Sequence, residues 1–354
     1  MKETIGPTPG RIPQLDGLRA MAMLLVFVHQ ALDVPLLWMG VDVFFVLSGF
    51  LITGILMQRK ESGGSYFGHF YSRRAKRILP PYYLLMIVAS LLFGTAWMKE
   101  WYWYVFFSTN IPEAFNHVSH ESLSVLWSLA VEEQFYLVWP IIVLLVPEAF
   151  LPWTAGGLFL LAPMLRIIAT PIVGNFAPIY HLTPFRMDLL SAGALIAIAW
   201  RKNPDIIRKY SGAGKITLLV SLGLLLVLSQ FVWFRTNQNT TFTNVFIYLL
   251  TLLFAAGSLT WALNGRTVFA SILSLPVLRY LGRISYSMYL IHFSAILFVK
   301  KWFHNPVAVV LLSFAAAFLY SAASWHFLEK PILGSSNNKV GAEKLVPAGA
   351  RPAN

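Results

Sequence analysis

Val41-Asp42-Val43-Phe44-Phe45-Val46-Leu47-Ser48-Gly49-Phe50-Leu51-Ile52 opens an apolar run that continues to Met57. A run of this length suits a helix crossing the roughly 30 Å hydrocarbon core of a bilayer, and it lacks the strict two-residue alternation of a barrel strand. Comparable runs recur near 20–38, 79–97, 124–146, 154–171, 185–200, 216–234, 242–263, 284–299 and 306–328. The chain of 354 residues is 57% hydrophobic and 12% charged, whereas a soluble domain carries about 25% charged residues. Only helices and closed barrels satisfy every backbone group in lipid. The sequence therefore predicts an all-α integral membrane protein, a bundle of about ten transmembrane helices.

Orientation follows from the basic residues. With the N-terminus in the cytoplasm, the inside segments hold 21 Lys and Arg. The outside segments hold five, namely Lys99, Arg186, Arg235, Lys300 and Lys301, and Arg166 falls within a helix. Basic residues concentrate in cytoplasmic loops, so both termini are expected inside. This divides the chain into a cytoplasmic N-terminal segment at 1–19, a transmembrane domain at 20–331 and a disordered cytoplasmic tail at 332–354. The net charge of +12 is dispersed over loops and does not form the footprint of a nucleic-acid binder. No cleavable signal precedes the first run. With no cysteine in the chain and no HExxH motif, neither a thiolate site nor a metal site is expected.

Polar residues inside apolar runs are the places to look for chemistry, because a charge near the bilayer centre costs roughly 2.5–3.5 kcal/mol on insertion scales. His29 falls midway along the first run, ten residues after Arg19, and imidazole gains and loses a proton near neutral pH. Asp33, one turn on, is placed to hold that ring in one tautomer; hydrogen bonding to a neighbouring helix is the alternative for His29. The stretch Phe70-Tyr71-Ser72-Arg73-Arg74-Ala75-Lys76-Arg77 is either an anchor against anionic lipid or a phosphate-binding cluster. If helical, Arg73, Arg74 and Arg77 can converge. In Leu126-Trp127-Ser128-Leu129-Ala130-Val131-Glu132-Glu133-Gln134-Phe135-Tyr136, Ser128, Glu132 and Tyr136 share a helical face and two adjacent glutamates interrupt an apolar segment. That pattern points to a polar cavity. Ser48, Arg186, Asp188 and Glu329 read as packing or structural residues, as does the helix Gly282-Arg283-Ile284-Ser285-Tyr286-Ser287-Met288-Tyr289-Leu290-Ile291-His292.

Taken together, LDGLRA with its following histidine, GVDVFFVLSGFLIT, FYSRRAKRILPPYY, WSLAVEEQFYLVWP and GRISYSMYLIH resemble the bacterial membrane-bound acyltransferase family 3, the integral membrane O-acyltransferases. The likeness runs from about Leu15 to Pro331. It implies a multi-pass protein of the bacterial inner membrane that moves an acyl group, most often acetyl, from acyl-coenzyme A to a hydroxyl of a glycan or lipid-linked sugar. By the same resemblance Arg19 and His29 match the arginine and essential histidine of the family's first helix, with His29 as base or acyl carrier. Arg73, Arg74 and Arg77 match its cytoplasmic arginine motif and would hold acetyl-coenzyme A. Ser128, Glu132 and Glu133 match its serine–glutamate motif; with Tyr136 they would position the acceptor or stabilise charge.

One departure stands out. The family commonly places ten residues between that arginine and histidine, and here there are nine, which sets the two about 80° apart around a regular helix. The competing class is a transporter with a proton relay, since intramembrane His, Asp and Glu also serve carriers. Against it, no internal hydropathy repeat and no paired broken helices are visible.

Overall fold

The computed structural model describes residues 12–62, 65–117, 120–231 and 238–334. Among them there is no β-strand, and ten helices have 16 residues or more. These are α1 (Pro13–Leu32), α2 (Gly40–Ser62), α3 (Tyr66–Phe93), α4 (Leu126–Leu145), α5 (Leu151–Ala169), α6 (Met187–Lys202), α7 (Ser211–Leu228), α8 (Thr241–Leu263), α9 (Pro276–Lys300) and α10 (Pro306–Ala323). A π-helical turn, Ser324–Glu329, follows α10, and the helix runs on to Gly334. Eight helices are long and apolar enough to cross a membrane. The two that fall short are α6, with 16 residues, and α9, which carries Arg279, Arg283 and Lys300.

Helix boundaries differ from the apolar runs where polar residues face protein. α1 starts at Pro13, seven residues before its run. Pro13 at the first helical position has the fixed φ a helix start needs, and Gln14 and Asp16 are buried against neighbouring helices. α1 ends at Leu32, before Asp33 in the left-handed region (φ 53) and Val34, whose following Pro35 disfavours helical geometry. His29, expected at half-depth, therefore sits in the last turn. α3 begins at Tyr66 because its basic residues are good helix formers, so the arginine stretch is helical and not a connection. The expected tail at 332–354 begins within helix, since residues up to Gly334 are helical; residues 335–354 and 1–11 lie outside the described residues.

Two apolar clusters divide the interior. One gathers α2, α4, α5, α6 and α8 with Leu18 and Val26 of α1 and Leu225 of α7, and has Trp139, Leu190 and Leu259 among its buried members. The other gathers α1, α3, α9 and α10 around Phe27, Leu85 and Ile296. Phe44 and Tyr289 pack against both clusters and meet edge-to-face at 5.7 Å. α2 is the most enclosed span, whereas α5, α7 and α10 are peripheral and expose Leu160, Ile168, Leu219, Leu311 and Leu319, as lipid-facing flanks do.

In lipid, helices associate through close packing more than through the hydrophobic effect, and small residues permit it. A methyl group on Gly49 would fall 1.9 Å from the Leu190 carbonyl oxygen, and one on Gly193 would fall 2.0 Å from that of Val46. These two glycines let α2 and α6 touch. On the other side, a methyl on Gly282 would fall 1.7 Å from the Asp16 carbonyl oxygen, which fixes the register of α9 on α1. Gly282→Ala should therefore force the two backbones apart, an overpacking cost of about 1–3 kcal/mol. A lowered Tm of the detergent-purified variant would register it; an unchanged Tm would contradict the close approach.

A buried charge network ties α2, α5, α6 and α8. Arg186 pairs with Asp42, and Arg166 donates to Asp188 at 2.5 Å and to the Phe185 carbonyl at 2.7 Å. All four charged side chains are buried. The Arg186 guanidinium also lies 4.7 Å from the Tyr248 ring centroid and 5.4 Å from that of Tyr180. Arg186 and Asp188 thus are structural, as the sequence suggested, and Asp42 is fully enclosed.

Candidate active site

A cavity of 1510 Å³ opens between the two apolar clusters, with α1, α2, α3, α4, α6, α9 and the π-helical turn contributing to its wall. This exceeds the roughly 300–1,000 Å³ of sites for drug-sized ligands. Its lining includes Arg201, Lys202 and Arg208, on and after α6, together with Glu61, Glu148 and Asp205. Arg201 pairs with Glu61, and Arg208 pairs with Asp205 at 3.1 Å. Arg19 from α1, Arg74 and Arg77 from α3, and Arg283 from α9 converge on the same space.

Helical phase decides which arginines take part. Arg74 and Arg77, three residues apart, lie on one face of α3 and line the cavity; Arg73, expected beside them, is exposed and does not. The position is filled instead by Arg19 and Arg283. Arg74 is anchored: its guanidinium lies 3.5 Å from the Tyr136 ring centroid and 3.4 Å from a Glu133 oxygen. Arg19 lies 3.5 Å from Asp16. Among the described residues, Arg77 and Arg283 have no carboxylate within ion-pair distance, and the Nε atoms of Arg74 and Arg283 are buried without a hydrogen-bond partner. Guanidinium groups with spare donors suit an anionic guest.

Past the arginines the wall turns to carboxylate and hydroxyl. Ser128, Glu132 and Tyr136, spaced four apart on α4, all line the cavity as expected. Glu132 accepts a 2.5 Å hydrogen bond from Ser48 on α2. Ser128 shares a 2.5 Å hydrogen bond with the Tyr289 hydroxyl. Glu133 points to Arg74 and is not part of the wall. Glu329, held by Ser287 at 2.5 Å and Ser324 at 3.0 Å, lines the wall through the π-helical turn. A wider turn of this kind redirects side chains and often occurs at functional sites.

Sequence reasoning missed Ser48, Arg283, Tyr286, Tyr289 and Glu329. Arg283, Tyr286, Tyr289 and Leu290 form one stripe at helical spacing on α9, which is the signal that could have found three of them. Ser48 gave no signal, because a serine beside a glycine in an apolar run reads as packing.

His29 does not line this cavity. It is half-buried in the last turn of α1, and its Nδ1 donates to the Val34 carbonyl at 2.9 Å. A carbonyl oxygen can only accept, so Nδ1 carries the hydrogen and Nε2 keeps a lone pair. Val34 thus does the orienting that was expected of Asp33, which is exposed. The sequence offset of about 80° between Arg19 and His29 matches their divergence, with Arg19 on the cavity wall and His29 off it. Ser128, Tyr289 and Leu290 line the cavity, and the buried His292 follows Tyr289 by three residues on α9.

The family model described as an acyltransferase domain matches residues 12–326. A Staphylococcus aureus (strain COL) protein, provisionally named an O-acetyltransferase, is 30% identical over 358 residues, covering 90% of this chain and 57% of that protein. The O-acetyltransferase OatA of Staphylococcus aureus (strain NCTC 8325 / PS 47) is 29% identical over 358 residues, covering 92% of this chain and 58% of its own length. The chain thus spans well under two thirds of the curated relatives it matches. No solved structure matches significantly.

Proposed function

This chain belongs to the acyltransferase family whose domain it matches over residues 12–326, and from that premise we propose that it is a membrane O-acetyltransferase. It takes an acyl group, acetyl in the first instance, from acyl-coenzyme A and delivers it to a hydroxyl of a carbohydrate or glycoconjugate. The bundle crosses the bacterial inner membrane about ten times, with both termini and the opening of the cavity on the cytoplasmic side, where coenzyme A is available. The observation that carries this reading is the convergence of Arg19, Arg74, Arg77 and Arg283 on one cavity that also contains Glu132, Ser128 and Tyr136. The spare guanidinium donors bind the phosphates of the coenzyme, and the thioester extends towards the Ser128–Tyr289 end.

His29 is the general base of this reaction. With Nδ1 tied to Val34, its Nε2 lone pair removes the proton of the acceptor hydroxyl, whose oxygen attacks the thioester carbonyl carbon. The carbon–sulfur bond then breaks with its electron pair on sulfur, and the sulfur takes up the proton that His29 removed, so that coenzyme A leaves as the thiol. Glu132, held by Ser48, gives the polar wall a carboxylate in the cavity that Arg19 and Arg74 also line.

Coenzyme A itself tests the donor site. It should raise the Tm of the detergent-purified protein. Arg77→Ala removes a charge-assisted contact worth about 1.5–3 kcal/mol and should weaken binding roughly 10- to 100-fold. Arg73→Ala, off the cavity, should respond like the unaltered chain. No stabilisation by coenzyme A, or equal losses in both variants, would reject the assignment.

A further inference from the structure

His292 has no role in the scheme above, yet it is a fully buried imidazole on α9 beside Tyr289. Three observations define its setting. First, α1 and α9 run side by side, and their register is set where Gly282 meets Asp16. Ten residues on from Gly282 is His292, and thirteen on from Asp16 is His29, so the two rings lie at nearby levels, about 5 Å apart along the helix axes.

Second, His292 is 0% exposed, and its Nδ1 donates to the Tyr289 carbonyl at 2.5 Å. The hydrogen is therefore on Nδ1, and Nε2 is a bare acceptor. Among the described residues that Nε2 has no hydrogen-bond partner, a state that buried polar atoms rarely keep. His29 is in the same tautomer, for the same reason, with Val34 as its acceptor. Two neutral imidazoles that both present lone pairs cannot bond to each other. One proton added to the pair gives both nitrogens a partner.

Third, His292 adjoins the cavity. Its ring lies 5.4 Å from that of Tyr289, which lines the cavity and shares a hydrogen bond with Ser128. The thiolate would be released beside that pair.

Building on the reading of His29 as the base, we propose that His292 is a proton relay between His29 and the departing coenzyme thiolate. The acceptor hydroxyl gives its proton to His29 Nε2 as its oxygen bonds to the thioester carbonyl carbon. The tetrahedral centre collapses, the carbon–sulfur bond breaks, and the electron pair leaves on sulfur. The proton moves from His29 Nε2 to His292 Nε2 and on to the sulfur. The products are an O-acyl ester and a free thiol, and both imidazoles return to their starting tautomers. The empty acceptor on His292 is filled only while the proton is in transit, so its stabilisation is felt in the transition state and not in the resting protein.

The test uses full-length protein in membranes of the producing cells, labelled acetyl-coenzyme A and the envelope acceptors present there. His292→Gln keeps an acceptor oxygen near the Nε2 position but cannot take up a proton. It should retain stabilisation by coenzyme A and slow transfer about 100-fold. In mixtures of light and heavy water, the unaltered protein should show a curved dependence of rate on deuterium fraction, from two protons in flight, and the variant a linear one. Near-normal transfer by a folded His292→Gln overturns the relay, as does a linear dependence in the unaltered protein, a result that needs no variant at all. His29→Ala separates the two ideas. If it is inactive while His292→Gln is active, only the relay fails; if it is active, the assignment of His29 as base fails first.

Discussion

Replacing His29 with alanine is expected to lower transfer of labelled acetyl from acetyl-coenzyme A by about 10²- to 10⁴-fold, the usual contribution of a positioned general base. His29 does not line the arginine-rich cavity, so stabilisation by coenzyme A should survive in the variant. The imidazole is held by the Val34 carbonyl, not by packing in the core, so its loss leaves the apolar clusters intact. The Asp33→Asn variant should transfer at close to the normal rate, because Asp33 is exposed and a backbone carbonyl does the orienting. Near-normal transfer by a folded His29→Ala protein would remove the base from the scheme, whatever the cavity binds.

The second large effect is on folding. Asp42→Ala leaves Arg186 fully buried without its carboxylate among Trp38, Phe45, Tyr180 and Tyr248. Breaking one side of a buried pair costs about 3–5 kcal/mol, chiefly because the remaining charge is stranded. A severe fall in Tm and in yield of folded protein is expected. The double substitution Asp42→Leu with Arg186→Met removes both charges and should recover much of that loss. If Asp42→Ala folds as well as the unaltered chain, the network is not what locks α2 to α6. Nothing in the sequence required this pairing: Asp42 and Arg186 are separated by 144 residues, and each alone reads as an interfacial charge.

How far the sequence could be read depends on what each residue faces. α2 and α4 were legible because apolar character and helical geometry coincide over most of their length. α1 and α9 were not, because Gln14, Asp16, Arg279 and Arg283 begin helices that face protein or cavity, and hydropathy reports only contact with lipid. The stripe of Ser128, Glu132 and Tyr136 on α4 was legible from its spacing alone, and all three residues share the cavity wall. Arg73 was grouped with Arg74 and Arg77 because charge runs do not reveal helical phase; one residue is 100° of rotation, which takes Arg73 off the wall. Glu329 was hidden by the π-helical turn, an extra residue per turn that no regular period anticipates. The offset between Arg19 and His29 was visible as a count of nine intervening residues, and the two side chains do diverge.

The central claim is that the arginine-lined cavity is the seat of the acyl donor, with the reacting end towards Ser128 and Tyr289. Imaging the purified protein by electron cryomicroscopy with a non-hydrolysable thioether analogue of acetyl-coenzyme A tests it directly. The account predicts phosphate density against Arg19, Arg74, Arg77 and Arg283, and the thioether sulfur beside the Ser128–Tyr289 pair. Density for the analogue on any other face, or a cavity filled by lipid while the analogue is bound elsewhere, would contradict it.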